Sequence, residues 1–123
     1  MRGLEHYQDE LNNIIIIAPA TEGYENAEPV IIQGHMDMVC EKAPDCAKDM
    51  EKEGLDLAVE GDVVFARGTT LGADDGIAVA MALAVLDSKE LPHPRVEAVI
   101  TVDEEVGMDG AMGIDLSPLK GKM

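Results

Sequence analysis

Tryptophan is absent from this chain, phenylalanine occurs once and tyrosine twice, so aromatics make up only 2% of its 123 residues. A core without large aromatic anchors must be assembled from Ile, Val, Leu, Ala and Met. With 46% hydrophobic residues there is enough apolar material for one modest domain. Positive charge is equally scarce: 9 Lys and Arg stand against 25 Asp and Glu, a formal net charge of -16. A body this acidic repels phosphate backbones and anionic headgroups, so neither nucleic acid nor a membrane surface is an expected partner. The only cysteines are Cys40 and Cys46, whose spacing matches no zinc-ribbon or redox pattern, and both read as reduced thiols. Long apolar runs are missing too. The longest aliphatic stretch, Ile14 to Ala18, is far too short to span a bilayer. The start, Met1 to His6, holds no apolar stretch of signal-peptide length, so the expected location is cytoplasmic.

What is present is an alternation of β-type and helix-type segments. Residues 1–12 are polar and charged and read as a frayed start or an incomplete element. Ile14 to Ala18 is a β-branched run that predicts a strand buried on both faces. A Thr/Glu/Gly/Asn/Pro-rich turn separates it from a second strand, Val30 to Gln33. Residues 40–54 are mostly charged and predict a surface loop. Leu55 to Val59 and Val63 to Ala66 flank Glu60-Gly61-Asp62 and predict a hairpin. Gly76 to Ser88, rich in Ala, Met, Leu and Val, predicts a helix so apolar all round that it should be well buried. Val96 to Val102 predicts another strand, and a short helix is expected near Met108 to Met112. Strand, loop, helix and strand in this order point to an α/β architecture, a layered mixed sheet with flanking helices.

Three polar clusters punctuate this pattern, each just past an apolar strand or at the start of the helix. They are Gly34-His35-Met36-Asp37, Gly72-Ala73-Asp74-Asp75-Gly76 and Thr101-Val102-Asp103-Glu104-Glu105. His, Asp and Glu are the ligands zinc takes in catalytic sites, and strand ends are where α/β folds gather ligands. His35 and Asp37 are two apart on a strand and point the same way, so Asp37 could hold the imidazole's other ring nitrogen. Each cluster also has an ordinary reading: a surface His beside a turn Asp, an Asp pair capping a helix, a solvated acidic loop. A phosphate cradle is excluded because the Gly-Lys-Ser/Thr ending is lacking, and an EF-hand because the D-x-D-x-D-G ladder is absent. His6 and His93 are expected to be solvated.

The segments Gln33 to Val39, Ala66 to Gly76 and Asp103 to Gly110 resemble the aminoacyl-histidine dipeptidases. These are the bacterial Xaa-His dipeptidases, or bacterial carnosinases, of the co-catalytic di-zinc peptidase superfamily. The likeness covers most of the chain from about Leu11 onward. The stretch Ala66-Arg67-Gly68-Thr69-Thr70-Leu71-Gly72-Ala73-Asp74 is its most specific part, and Gly76 fits this branch. The resemblance implies that His35 binds one zinc, with Asp37 steering its ring. It implies that Asp74 bridges two Zn2+ ions, that Glu105 binds the other ion, and that Glu104 is the general base for the attacking water. Two ions roughly 3.5–4 Å apart would acidify that water and polarise the scissile carbonyl; cobalt or manganese could serve in place of zinc. The substrate implied is a small Xaa-His dipeptide. Asp75 is left as a helix cap.

The family pattern has further parts that this sequence does not match. A downstream carboxylate ligand, a late histidine, an inserted smaller domain used for dimerisation and substrate capture, and a preceding helical segment are all missing. Residues 1–123 therefore read as a partial catalytic domain. Three ligands for two ions would leave each under-coordinated, and open sheet edges make self-association or a complementing chain the expected partner. A non-catalytic remnant that binds metal weakly is the alternative expectation.

Overall fold

The computed structural model describes residues 3–122; Met1, Arg2 and Met123 lie outside them. Four strands form the central sheet: β1 (Glu5–Gln8), β2 (Ile14–Ala18), β3 (Val30–His35) and, after the helix in sequence, a strand over Val96–Thr101. The other elements are a separate hairpin of β4 (Leu57–Glu60) and β5 (Val63–Ala66), then α1 (Ala73–Asp87). Val96–Thr101 is thus β6, and α2 (Asp109–Gly113) follows it. The sheet order is β1-β2-β6-β3. The pairs β1·β2 and β2·β6 are antiparallel, and β3·β6 is parallel. The expected α/β class and mixed sheet are present.

The register divides the sheet into two faces. Ile15 and Ile17 of β2 lie opposite Val99 and Glu97 of β6, and Ile31 of β3 lies opposite Glu97. This face carries the core, in which Ile15, Ile17 and Val99 are buried and Ile31, Ile114 and Leu119 pack onto them. The segment from α2 to Gly121 covers it. The opposite face, with Gly34 at its rim, receives α1, whose main neighbour is β3. β6 is the centre of the fold: all six of its residues are buried. That suits its run of β-branched and small residues, flanked by strands on both sides.

Three expectations need correction. The start is not frayed but holds β1, an exposed edge strand that pairs Glu5–Gln8 with Ile14–Ile17 through a turn in which Asn12 takes φ of 72°. Its polar side chains gave no strand signal; pairing with an isoleucine-rich neighbour decides its conformation. β2 is only half as buried as expected, since Ile14 and Ile16 face a groove of about 710 Å³ shared with Leu83 and Leu86. The helix spans close to the expected residues and its end bonds are closed by the Ser88 N–H. It is, however, far from enclosed: Ala82 is its one buried residue, while Ile77 and Met81 are 61% and 63% exposed. Among the described residues nothing packs on that outer side. The hairpin forms as expected, beginning at Leu57 rather than Leu55, with Gly61 at φ of 57° in its turn.

Candidate metal centre

Parallel strands bring their carboxyl ends to the same rim, and β3 and β6 are parallel neighbours with His35 opposite Thr101. The residues after β6 turn sharply. Asp103 takes φ of 57°, the Met108 N–H bonds the Asp103 carbonyl at 2.8 Å, and the Gly107 N–H bonds the Glu104 carbonyl at 3.2 Å. That turn folds Glu104 and Glu105 back toward β3.

The third cluster arrives with the helix. Gly34 lets α1 approach β3 closely: a Cβ there would lie 2.8 Å from Asp75 Oδ2 and 3.0 Å from Ala78 Cβ. Asp75 Oδ1 accepts the Ala78 N–H at 3.4 Å, so Asp75 caps the regular part of the helix. Asp74, one residue earlier and outside helical φ/ψ, projects from that turn with its side chain 90% exposed.

The His35 ring is the hub. On its Nδ1 side lie the Asp37 carbonyl at 3.1 Å and Asp37 Oδ1 at 3.4 Å. On its Nε2 side lie Asp74 Oδ1 at 3.3 Å and Glu104 Oε2 at 3.8 Å. Asp37 in turn accepts the Glu105 N–H on Oδ2 at 3.1 Å. One ligand atom each from His35, Glu104 and Glu105 lies within 4.8 Å of the others. Among the described residues this is the one set of three that close; it includes Glu104, and Asp74 joins through His35 alone. His6 and His93 bond the carbonyls of Leu4 and Pro94 and take no part. Gly34 was not singled out in the sequence, although a glycine directly before a strand-end histidine is the type of signal that marks close backbone approach.

The electrostatics match a site for a cation. His35 is buried, which on its own would lower its pKa. The Asp74 hydrogen bond, the Asp37 carbonyl and the charges of Asp37 and Glu104 outweigh this and hold the pKa above its ordinary value. Asp37 is half-buried, and its loss of solvent alone would raise its pKa. The backbone N–H groups of Glu105, Glu104 and Asp37 itself, with His35, hold it below the usual carboxylate value. Asp37 Oδ1 is buried with no hydrogen bond of its own. A proton on His35 Nδ1 would face that oxygen and leave Nε2 bare toward the carboxylates, which is how a metal-binding imidazole is held. Ligand atoms around one tetrahedral zinc sit roughly 3.4 Å apart, given bonds of about 2.1 Å. The cluster, with one atom from each residue within 4.8 Å of the others, is somewhat wider. The donor set thus fits a divalent ion.

Comparison with known proteins bears on the same residues. A profile of peptidase family M20/M25/M40 matches residues 31–116, a span that contains every residue of the cluster. The chain belongs to this family. The cytosol non-specific dipeptidase of Escherichia coli is 46% identical over 113 residues, covering 92% of this chain and 23% of that protein. The crystal structure of aminoacylhistidine dipeptidase from Vibrio alginolyticus superposes with a TM-score of 0.93 at 43% identity, covering 99% of this chain and 25% of that one. Aminopeptidase PepT from Bacillus cereus superposes with a TM-score of 0.73 at 30% identity, over 98% of this chain and 32% of its own. The chain thus spans about a quarter of the length of the relatives named first, 23% and 25%. The resemblance drawn from the three motifs holds at the level of family and fold. No helix of the described residues is long and apolar enough to cross a membrane.

Proposed function

We propose that residues 1–123 are the metal-site part of a peptidase catalytic domain that hydrolyses Xaa-His dipeptides in the cytoplasm. The observation that carries this reading is the convergence of an imidazole and carboxylates from three distant segments on His35 Nε2. In this reading His35, Asp74 and Glu105 hold zinc, with cobalt or manganese as substitutes, and Asp37 orients the His35 ring. A divalent ion bound there supplies positive charge that polarises the scissile carbonyl and makes water a stronger nucleophile near neutral pH. Glu104 is left to move the proton. It takes one from the attacking water as the carbon–oxygen bond forms, then passes it to the departing amine nitrogen as the peptide C–N bond breaks. The cluster lies on an acidic body, which disfavours nucleic acid and anionic membranes and leaves a small peptide as the partner. The likeness to an aminoacylhistidine dipeptidase supports the His preference, and the likeness to a non-specific dipeptidase makes it a question for experiment.

The test is hydrolysis of histidine-containing and histidine-free dipeptides by the chain with added zinc, cobalt or manganese, beside Glu104→Gln. A base contributes about 10²–10⁴-fold. Glu104→Gln should therefore lose at least about 100-fold in rate while still binding metal. Undiminished turnover by that variant would remove Glu104 from the role.

A second reading is favoured by the uncovered apolar surface of α1 and the hairpin. In it the chain works only by self-association or with a complementing polypeptide, as a weak metal binder alone. Tight stoichiometric binding of two ions by the purified chain would count against it; binding that appears only with added polypeptide would support it.

A further inference from the structure

Asn13 is 1% exposed, directly before β2, and both the nitrogen and the oxygen of its side-chain amide are engaged. Its Nδ2 donates to the Gly110 carbonyl at 2.9 Å and to Asp9 Oδ2 at 2.7 Å. Its Oδ1 accepts the Val102 N–H at 3.2 Å. Val102 and Gly110 are the two ends of the turn that carries Asp103, Glu104 and Glu105. A single side chain from the antiparallel half of the sheet thus ties both ends of the loop that forms one wall of the metal centre. The fit is tight. A Cβ at Gly110 would lie 2.2 Å from the Val102 carbonyl oxygen and 2.7 Å from Asn13 Oδ1.

The loop has little else to hold it. Its internal bonds, from the N–H groups of Gly107 and Met108 to Glu104 and Asp103, set its curvature but not its place on the sheet. The Glu105 N–H to Asp37 Oδ2 bond, with the Glu104 N–H beside it, ties it to the residue two past the end of β3, and the side chains of Glu105, Val106 and Met108 are exposed. An amide is the one side chain of this size that offers an acceptor to Val102 and donors to Gly110 and Asp9 together. Aspartate would set oxygen against the Gly110 and Asp9 oxygens, and alanine would leave the Val102 N–H and Gly110 carbonyl unpaired. Asp9 holds this residue twice, its Oδ2 accepting from the side-chain Nδ2 at 2.7 Å and its Oδ1 accepting the main-chain N–H at 2.9 Å.

We propose that Asn13 is a positioning residue for Glu104 and Glu105: it sets the distance of both carboxylates from His35 without touching the ion or the substrate. The effect on metal affinity rests on the reading of the site given above; the effect on the loop does not. The experiment therefore has two readouts on the full chain. Amide hydrogen exchange at Glu105 and Met108 is measured by NMR relative to amides of β6, and Co2+ affinity is measured by calorimetry. Asn13→Ala and Asn13→Asp are compared with Glu97→Gln, which disturbs a buried side chain of the same sheet away from the loop.

In the Asn13 variants, loop exchange should quicken by at least about tenfold relative to β6. Cobalt affinity should fall by about 10–100-fold, as when a group that aims a metal ligand is lost. Glu97→Gln should leave both ratios near wild type. Unchanged relative exchange in a folded Asn13 variant, or an equal change in Glu97→Gln, overturns the proposal. If neither Asn13 variant folds, Asp9→Ala loosens the same amide from its half-exposed end. Faster relative loop exchange then supports the proposal, and an unchanged ratio overturns it. A wild-type chain that binds no cobalt while the loop still loosens in the variants would sink the metal reading and leave the positioning of the loop standing. Tight cobalt binding that no Asn13 variant weakens would overturn the role toward the centre.

Discussion

Replacing Glu97 offers a severe test of how this chain is held together. Glu97 is fully buried, 0% exposed, on the core face of β6. Its carboxylate accepts the Arg95 Nε–H at 2.6 Å, the Lys120 N–H at 2.9 and 3.0 Å, and the Gly121 N–H at 2.9 Å. Arg95 also reaches the Pro118 carbonyl at 3.3 Å. This cluster pins the segment after α2 across the core face, beneath which Ile17 and Ile31 flank Glu97. Bonds to a charged group contribute about 1.5–3 kcal/mol each and are not additive. Removing one partner of a buried ion pair costs about 3–5 kcal/mol. Glu97→Ala should therefore cost about 4 kcal/mol, a large share of a domain whose total stability is roughly 0.05–0.15 kcal/mol per residue. Glu97→Gln keeps the volume and one acceptor, and should cost about 2 kcal/mol.

The pH dependence has a definite sign. Burial alone would raise the pKa of Glu97, but the Arg95 hydrogen bond, the Gly121 and Lys120 N–H groups and the Arg95 charge hold it below the ordinary 4.5. A depressed folded value means that the carboxylate's contribution is whole above pH 4.5, its unfolded value, and is lost as pH falls through the folded value. Urea denaturation of wild type and Glu97→Gln at neutral pH and across the acid range measures this. The stability gap should be constant above the unfolded pKa and should narrow in acid. A gap under about 0.5 kcal/mol at neutral pH, the size of an ordinary surface change, would refute the argument. A gap that widens in acid would refute it equally.

Two other substitutions probe the geometry. Gly34→Ala forces a methyl to within 2.8 Å of Asp75 Oδ2 and 3.0 Å of Ala78 Cβ, which should push α1 off β3. Overpacking of this type costs about 1–3 kcal/mol in urea denaturation, and a loss below about 0.5 kcal/mol would show that the helix start yields freely. Val59→Thr on the hairpin, at a residue 73% exposed, should move stability by less than about 0.5 kcal/mol in the same assay. A larger loss would show that this face is covered in solution.

The strands and the helix were legible because their signals are local. Four consecutive isoleucines, the run Val96 to Val102, the Glu60-Gly61-Asp62 turn and the Ala/Met/Leu-rich stretch after Asp75 each state their own conformation. β1 was not legible, since Glu5-His6-Tyr7-Gln8 becomes a strand only by bonding to β2. The burial of α1 was overestimated because an apolar stretch records what a helix could bury, whereas its packing records what lies beside it. The candidate centre divides in the same way. The three polar clusters could be picked out from residue type and position after apolar runs, while the choice of His35, Asp37, Asp74, Glu104 and Glu105 within them came from the family resemblance. Asn13 could not, because a buried amide acts through neighbours distant in sequence, whereas Gly34 carried the local signal of a glycine before a strand-end histidine.

The amino-acid order by itself determined most of the element types, the acidic charge and the presence of three clusters of ligand-type residues, since propensity, charge and ligand chemistry belong to residues. Only the tertiary structure decided that these groups meet. The parallel pairing of β3 with β6 puts His35 level with the Glu104 loop, and the close seat of α1 on Gly34 brings Asp74 to the same ring. Distances of 3.3 and 3.8 Å around one imidazole are set by register and packing between segments that are far apart along the chain.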